Sequence, residues 1–290
     1  MSLRSKSKDE WLPPGADGWD DTPDVPERPD ILGGPSWLNR VFKPKSPIAL
    51  IVILMAIAVA VVVWTEGDPR QTVRIRPPWT NGELSSFTIL SATGSEMGSI
   101  DLGVIMEPED GHVGQVKFIH EFHSRDLDKR CEIIADANTL KPMSSTLDRE
   151  SALSGHATIT AEYGDTTASV GITSQRGTEQ ADVTLPETKY FDSEQVLYVL
   201  RSLPMHKRFK ASINPVDPAS AKVSQVIVQV VGKETISVPA GDFDCWRVDL
   251  RGMGMRAWIS ASEPYQLVAF DDTARNTHNV LVSYTTGEAQ

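Results

Sequence analysis

ETISVPAGDFDCWRVDL, residues Glu234 to Leu250, reads as a strand, a turn and a return strand. Pro239, Ala240, Gly241 and Asp242 supply the turn, since proline and glycine cover the backbone angles a reversal needs. On the return arm Trp246, Val248 and Leu250 alternate with Arg247 and Asp249. A two-residue period puts the apolar side chains on one face of a strand, and that face is buried.

The same period spreads outward from this hairpin. Val226, Val228 and Val230 precede it, and Val280, Val282 and Tyr284 follow. Upstream, Ile100, Leu102, Val104 and Met106 alternate, as do Val116, Phe118 and Phe122, and then Ala157, Ile159, Ala161 and Tyr163. Turn signals fall between the runs at Asn81-Gly82, Glu109-Asp110-Gly111 and Tyr163-Gly164-Asp165. Sequential strands joined by short polar turns form antiparallel meanders, and ten or more of them suggest a curved sheet or partial barrel. One segment departs from the period. Val196, Leu197, Val199, Leu200 and Leu203 follow helical spacing, Asp192 stands three residues before Gln195 as in a capping box, and Pro204 ends the run. A helix of about three turns with an apolar side needs a surface to cover, and the concave face of the sheet is the one available.

Ile48 to Trp64 are seventeen consecutive apolar residues, and Ser46, Pro47 and Thr65 extend the charge-free stretch to twenty. At about 1.5 Å of rise per residue this matches a bilayer's hydrocarbon core of roughly 30 Å. Arg40, Lys43 and Lys45 precede it, and Glu66 and Asp68 follow. Basic residues concentrate on the cytoplasmic side, so the N-terminus is expected inside and the long C-terminal part outside. A cleaved signal peptide has a shorter apolar region and a small-residue cleavage site, and a core helix has a polar face; neither fits. The expected organisation is a disordered cytoplasmic tail (1–45), a single transmembrane helix (46–65), a Pro-containing stalk (66–83) and an extracytoplasmic β domain (84–290).

The tail is rich in Pro, Gly and Asp, a composition that cannot bury enough apolar surface to fold. Pro23, Pro26 and Pro29 recur every third residue beside Trp11, Trp19 and Trp37. They read either as a docking motif or as a plain acidic tail. Residues 66–290 carry 21 basic and 31 acidic side chains, a balance that argues against nucleic acid as partner. Both cysteines, Cys131 and Cys245, lie in that region, where an oxidising compartment permits a bridge. Their spacing leaves pairing open.

Catalytic signatures are missing. His120-Glu121-Phe122-His123 holds a close histidine pair, but on a strand the two point to opposite faces, so no metal site is expected. His120 falls on the Val116/Phe118/Phe122 face and reads as a core or cavity-rim histidine whose polar atoms are satisfied. Gly94-Ser95-Glu96-Met97-Gly98 has the wrong spacing for a nucleophile elbow, and Gly252-Met253-Gly254-Met255 reads as a hairpin end. There is no P-loop and no dinucleotide fingerprint. No enzyme activity, cofactor or metal is expected.

Four stretches carry a resemblance. Besides Glu234 to Leu250, they are ADANTLKPMSSTL (Ala135 to Leu147), YFDSEQVLYVLRSLP (Tyr190 to Pro204) and AWISASEPYQLVAF (Ala257 to Phe270). In this order they resemble uncharacterised extracytoplasmic domains related to the LolA-like lipoprotein-sorting superfamily. The resemblance spans roughly residues 84–285. It implies a strongly curved antiparallel half-barrel with one α-helix across its concave face, a face that binds acyl chains in the superfamily's carriers. An uncleaved anchor departs from those soluble shuttles.

The leading expectation is a non-catalytic, single-pass membrane protein displaying this domain as a binding or scaffold module. A lipid or lipoprotein carrier is the second, with an apolar pocket between helix and sheet lined by Val116, Phe118, Phe122, Leu197, Leu200, Trp246 and Trp258. A third is an accessory subunit of a membrane complex. The partners are then the membrane, a lipid or lipidated protein, or other subunits.

Overall fold

The computed structural model describes residues 75–109 and 112–287. The expected tail, the transmembrane helix and the first part of the stalk lie outside these residues. Among the described residues no helix is long and apolar enough to cross a membrane.

Eight strands follow one another as a meander: β1 (Glu83–Ser91), β2 (Glu96–Glu109), β3 (His112–Ser124), β4 (Leu127–Asp136), β5 (Pro142–Ser151), β6 (Gly155–Tyr163), β7 (Thr167–Ser174) and β8 (Gly177–Thr184). A short β9 (Tyr190–Asp192) leads through a 3-10 turn, Ser193–Gln195, into the helix α1 (Val196–Arg201). The second meander is β10 (Lys210–Asp217), β11 (Lys222–Val223), β12 (Val226–Val238), β13 (Gly241–Arg251), β14 (Met255–Ser260), β15 (Leu267–Asp272) and β16 (Thr277–Thr285). Its last strand pairs antiparallel with β1, so both meanders join into one sheet running from β11 to β8. Every pairing is antiparallel except β9 with β10. The fold is mainly β with one short helix, and the curved sheet stays open. Its end strands β8 and β11 are not hydrogen-bonded to each other. A separate apolar cluster fills the seam instead, with Tyr163, Ala168, Val170 and Val183 from one end, Val216 from the other, and Tyr190 of β9.

The concave face carries the core. Phe87 and Ile89 of β1, Ile100, Leu102 and Val104 of β2, Val116 and Phe118 of β3, and Val226, Val228, Val248 and Leu250 of β12 and β13 are all buried in one cluster. These are the period-two positions, with one exception. On β16 the buried residues are Asn279 and Leu281, while Val282 and Tyr284 are exposed. Val280 pairs with Ala269, which pairs with Trp258, and that row lies on the outer face. The apolar alternation of the last strand therefore points outward, partly covered by an outer cluster of Cys245, Trp258, Val268 and Ala269.

The helix is shorter than its spacing predicts, and no side of it faces solvent. All six residues of α1 are buried, because the sheet curls far enough to enclose it. Asp192 caps the preceding 3-10 turn by accepting from the Glu194 amide at 2.9 Å. Gln195 does not return to the cap; its Nε2 donates to the Leu140 carbonyl at 3.0 Å. Leu140 (φ 58°) ends a turn held by Asp136, whose Oδ1 accepts from the Asn138 and Thr139 amides. Two more polar links seat the helix. Tyr198 donates its hydroxyl proton to the Ile119 carbonyl at 2.5 Å, and Arg201 forms a buried ion pair with Glu83. The Arg201 guanidinium also donates to the Tyr265 and Pro264 carbonyls at 3.0 and 3.1 Å. Part of the expected stalk packs here too: the Arg76 amide donates to Ser202, and the buried Trp79 ring meets Phe118 edge-on.

Candidate ligand cavity

Between the start of the helix and one end of the curved sheet lies a cavity of about 460 Å³. Ordinary protein interiors leave few voids larger than a water, whereas ligand sites run to roughly 300–1,000 Å³. Ile100, Phe122, Leu147, Val196, Leu197, Met255 and Phe270 make its apolar wall. Polar groups gather toward the rim: His120, Lys129, Arg149, Glu194, Asp217, Asp272 and Arg275.

Strand register explains how the polar residues meet. Phe122 of β3 pairs with Lys129 of β4, which pairs with Arg149 of β5, and this rung crosses the mouth. One pleat deeper, His120 pairs with Cys131, and Cys131 with Leu147. Glu194 arrives from the 3-10 turn. Its Oε2 lies 2.7 Å from the Lys129 ammonium and 2.9 Å from His120 Nδ1. Burial would raise the Glu194 carboxyl, but the Lys129 charge and the His120 ring override this and hold it well below the usual carboxylate range. Burial, reinforced by the Lys129 charge, lowers the His120 imidazole below its ordinary value. His120 Nδ1 lacks the alignment of a hydrogen bond to Glu194, and Nε2 has no partner among the described residues. Behind Glu194, burial pushes the Asp192 carboxyl up to about 6, although it accepts the Tyr163 hydroxyl at 2.6 Å.

The seven residues predicted to line the pocket separate into four groups. Phe122 and Leu197 do line it. Val116, Phe118 and Leu200 are fully buried core residues beneath and beside it. Trp246 is half-buried and packs on the main core with the Lys233 ammonium 5.9 Å from its ring centre. Trp258 is on the outer face, where its indole N–H donates to Glu234 at 2.6 Å. Cys131 and Cys245 are free thiols on opposite faces of the sheet, one in the main core and one in the outer cluster. They are not brought together. His120 and His123 point to opposite faces as their strand requires, with His120 at the cavity and His123 beside Asp128. Met253 and Met255 place the predicted hairpin end at the cavity mouth. Gly252 there has φ 99°, and an added Cβ would meet the Gln225 carbonyl oxygen at 2.7 Å, so only glycine turns the chain this closely. Sequence reasoning passed over Lys129, Arg149 and Glu194, which look like ordinary surface charges until the register aligns them.

Residues 111–274 match the family described as a protein of unknown function, DUF3108. A search of curated proteins found no match. Among solved structures, the chain is similar to a β-barrel-like protein of the domain of unknown function DUF1849 from Brucella abortus, with 11% identity and a TM-score of 0.46 over 74% of this chain and all of that one. It is also similar to a protein described as exported, with a YmcC-like fold, from Bacteroides fragilis (13% identity, TM-score 0.28, 73% of this chain and 99% of that one). A protein described as a lipoprotein from Parabacteroides distasonis shows 12% identity and a TM-score of 0.28, over 74% of this chain and 99% of that one.

Proposed function

Because this chain belongs to the DUF3108 family of proteins of unknown function, its role has to be argued from its own geometry, and we propose that it is a non-catalytic binding module for an apolar or amphipathic ligand. The observation that carries this reading is the cavity of about 460 Å³ between helix and sheet, with a wall that is mostly apolar. Its walls at Phe122, Leu147, Leu197 and Phe270 lose dispersion contacts where no apolar atom packs against them. An acyl chain or similar hydrocarbon restores them. The resemblance to LolA-like domains points the same way, as does the helix enclosed by the concave face.

The second part of the proposal is location. The apolar run Ile48 to Trp64, with basic residues before it and acidic residues after, supports a single-pass anchor that holds the domain outside the membrane. A tethered binding module works over the short distance its stalk allows, which suits transfer or capture of a membrane-derived ligand better than long-range shuttling.

Native mass spectrometry of the purified full chain, with organic extraction of what co-purifies, tests the binding reading. The expected result is an adduct of discrete mass that extracts as lipid. A protein free of adducts that also fails to take up added fatty acid rejects it, leaving a scaffold or accessory subunit.

A further inference from the structure

The cavity's polar rim is built for more than a hydrocarbon. His120 is 8% exposed, and its Nε2 has no hydrogen-bond partner among the described residues. Arg149 lines the same mouth, its Nε is buried without a partner, and its guanidinium enters no ion pair among the described residues. Buried polar atoms in folded proteins are nearly always hydrogen-bonded, so these two atoms at one mouth have hydrogen-bonding capacity to offer a polar group that enters it.

The neighbouring charges identify its sign. Two of the three rim carboxylates are paired with a cation, and the third hydrogen-bonds within its own loop. Glu194 holds Lys129 at 2.7 Å. Asp272 holds Arg275 at 2.6 Å. Asp217 accepts the Ala219 amide at 3.0 Å and the Ser220 hydroxyl at 2.6 Å, which turns it toward its own loop. Arg149 is the cation left over, on the rung beside Lys129. A guanidinium presents paired N–H donors that suit a carboxylate or a phosphate.

We propose that Arg149, supported by Lys129 at the cavity mouth, is an oxyanion subsite, and that the ligand is an amphiphile whose carboxylate or phosphate head sits there while its tail enters the cavity. This rests on the apolar-ligand reading above for the tail, but not for the head. The head lies at the solvent-facing rung and the tail follows Phe122 and Leu147 inward, so the two parts of the ligand meet surfaces of matching character. His120, one rung deeper, offers its unpartnered Nε2 to a polar group next to the head.

Calorimetric titration of the full chain with octanoate, octyl phosphate, octan-1-ol and inorganic phosphate separates the parts. Both anionic alkyl ligands should bind about tenfold or more tightly than the alcohol, because a charge-assisted pair is lost in the latter. Arg149→Gln should abolish that preference while leaving octanol affinity unchanged, and Arg149→Lys should keep part of it. Equal affinity for octanol and octanoate overturns the anion subsite and leaves the apolar reading standing. Binding of inorganic phosphate that depends on Arg149, with no alkyl preference, keeps the subsite and removes the tail. Failure of all four ligands overturns both.

Discussion

Arg201 and Glu83 show how much a single buried contact can carry here. Their side chains are 5% and 3% exposed, and they join the end of the helix to the first strand. Two buried charges compensate each other, but either alone would be stranded in a low-dielectric interior. Glu83→Gln should therefore lower the stability of the domain by about 3–5 kcal/mol in chemical denaturation, whereas Glu83→Gln combined with Arg201→Met should recover much of the loss. A double variant no better than the single would mean that the carbonyls of Pro264 and Tyr265, not Glu83, determine what Arg201 contributes. Asp192 makes a second residue-scale prediction, of the opposite sign to the usual carboxylate. Its folded value is raised to about 6 from 3.8, chiefly by burial, so the folded state holds a proton that the unfolded chain has released. The resulting stabilisation is complete below about pH 4 and is lost as pH rises through 6. Relative to Asp192→Asn, the wild type should lose up to about 3 kcal/mol across that window, read from denaturation midpoints at each pH. His120 was legible from its strand face as a core or cavity-rim residue, but its ring nitrogens lack the hydrogen-bond partners that reading expected. The pair of Glu194 and Lys129 beside it was not legible, because an ion pair between residues 65 apart leaves no trace in local periodicity.

The helix is the element on which the cavity depends. Its spacing and its Asp192 cap were legible between 192 and 203, yet it forms only six α-helical residues and is buried all round. A sequence with polar residues such as Tyr198 and Arg201 reads as amphipathic. The sheet satisfies both of them with carbonyls and a carboxylate, so they can be enclosed. Leu200 is fully buried at its centre. Leu200→Ala removes that burial and leaves a cavity, and should cost about 2–5 kcal/mol in denaturation of the domain. An unchanged midpoint would show that the helix is not docked. The strands teach a related lesson. Most concave-face residues were read correctly from their period. On β16 the register set by Phe87↔Leu281 and Phe270↔Asn279 places Val282 and Tyr284 outside. Apolar alternation shows that a strand has two unlike faces; it takes pairing to say which of them is the core.

At the scale of the molecule, one sheet runs from β11 to β8 around a helix that the chain lays down between those two ends. The two meanders could be read from turn signals, but their joining through β16 and β1 is a contact between residues about 200 apart, and no local pattern reports it. The side-chain seam between the sheet's ends leaves the molecule curved but unclosed, with a mouth where the helix begins. The core and this cavity use the same kinds of apolar residue, which is why pattern alone assigned the core residues Val116, Phe118 and Leu200 to a pocket. The central claim is that this cavity takes an apolar ligand between helix and sheet. Ala219 is exposed at its mouth, so Ala219→Trp can occlude the opening without disturbing the core. The most direct measurement is a fluorescent fatty-acid titration of the full chain beside this variant. Saturable binding at micromolar protein, weakened about tenfold or more by Ala219→Trp, is the predicted result. A linear, unsaturable signal, or a saturable one that the tryptophan leaves untouched, would contradict it.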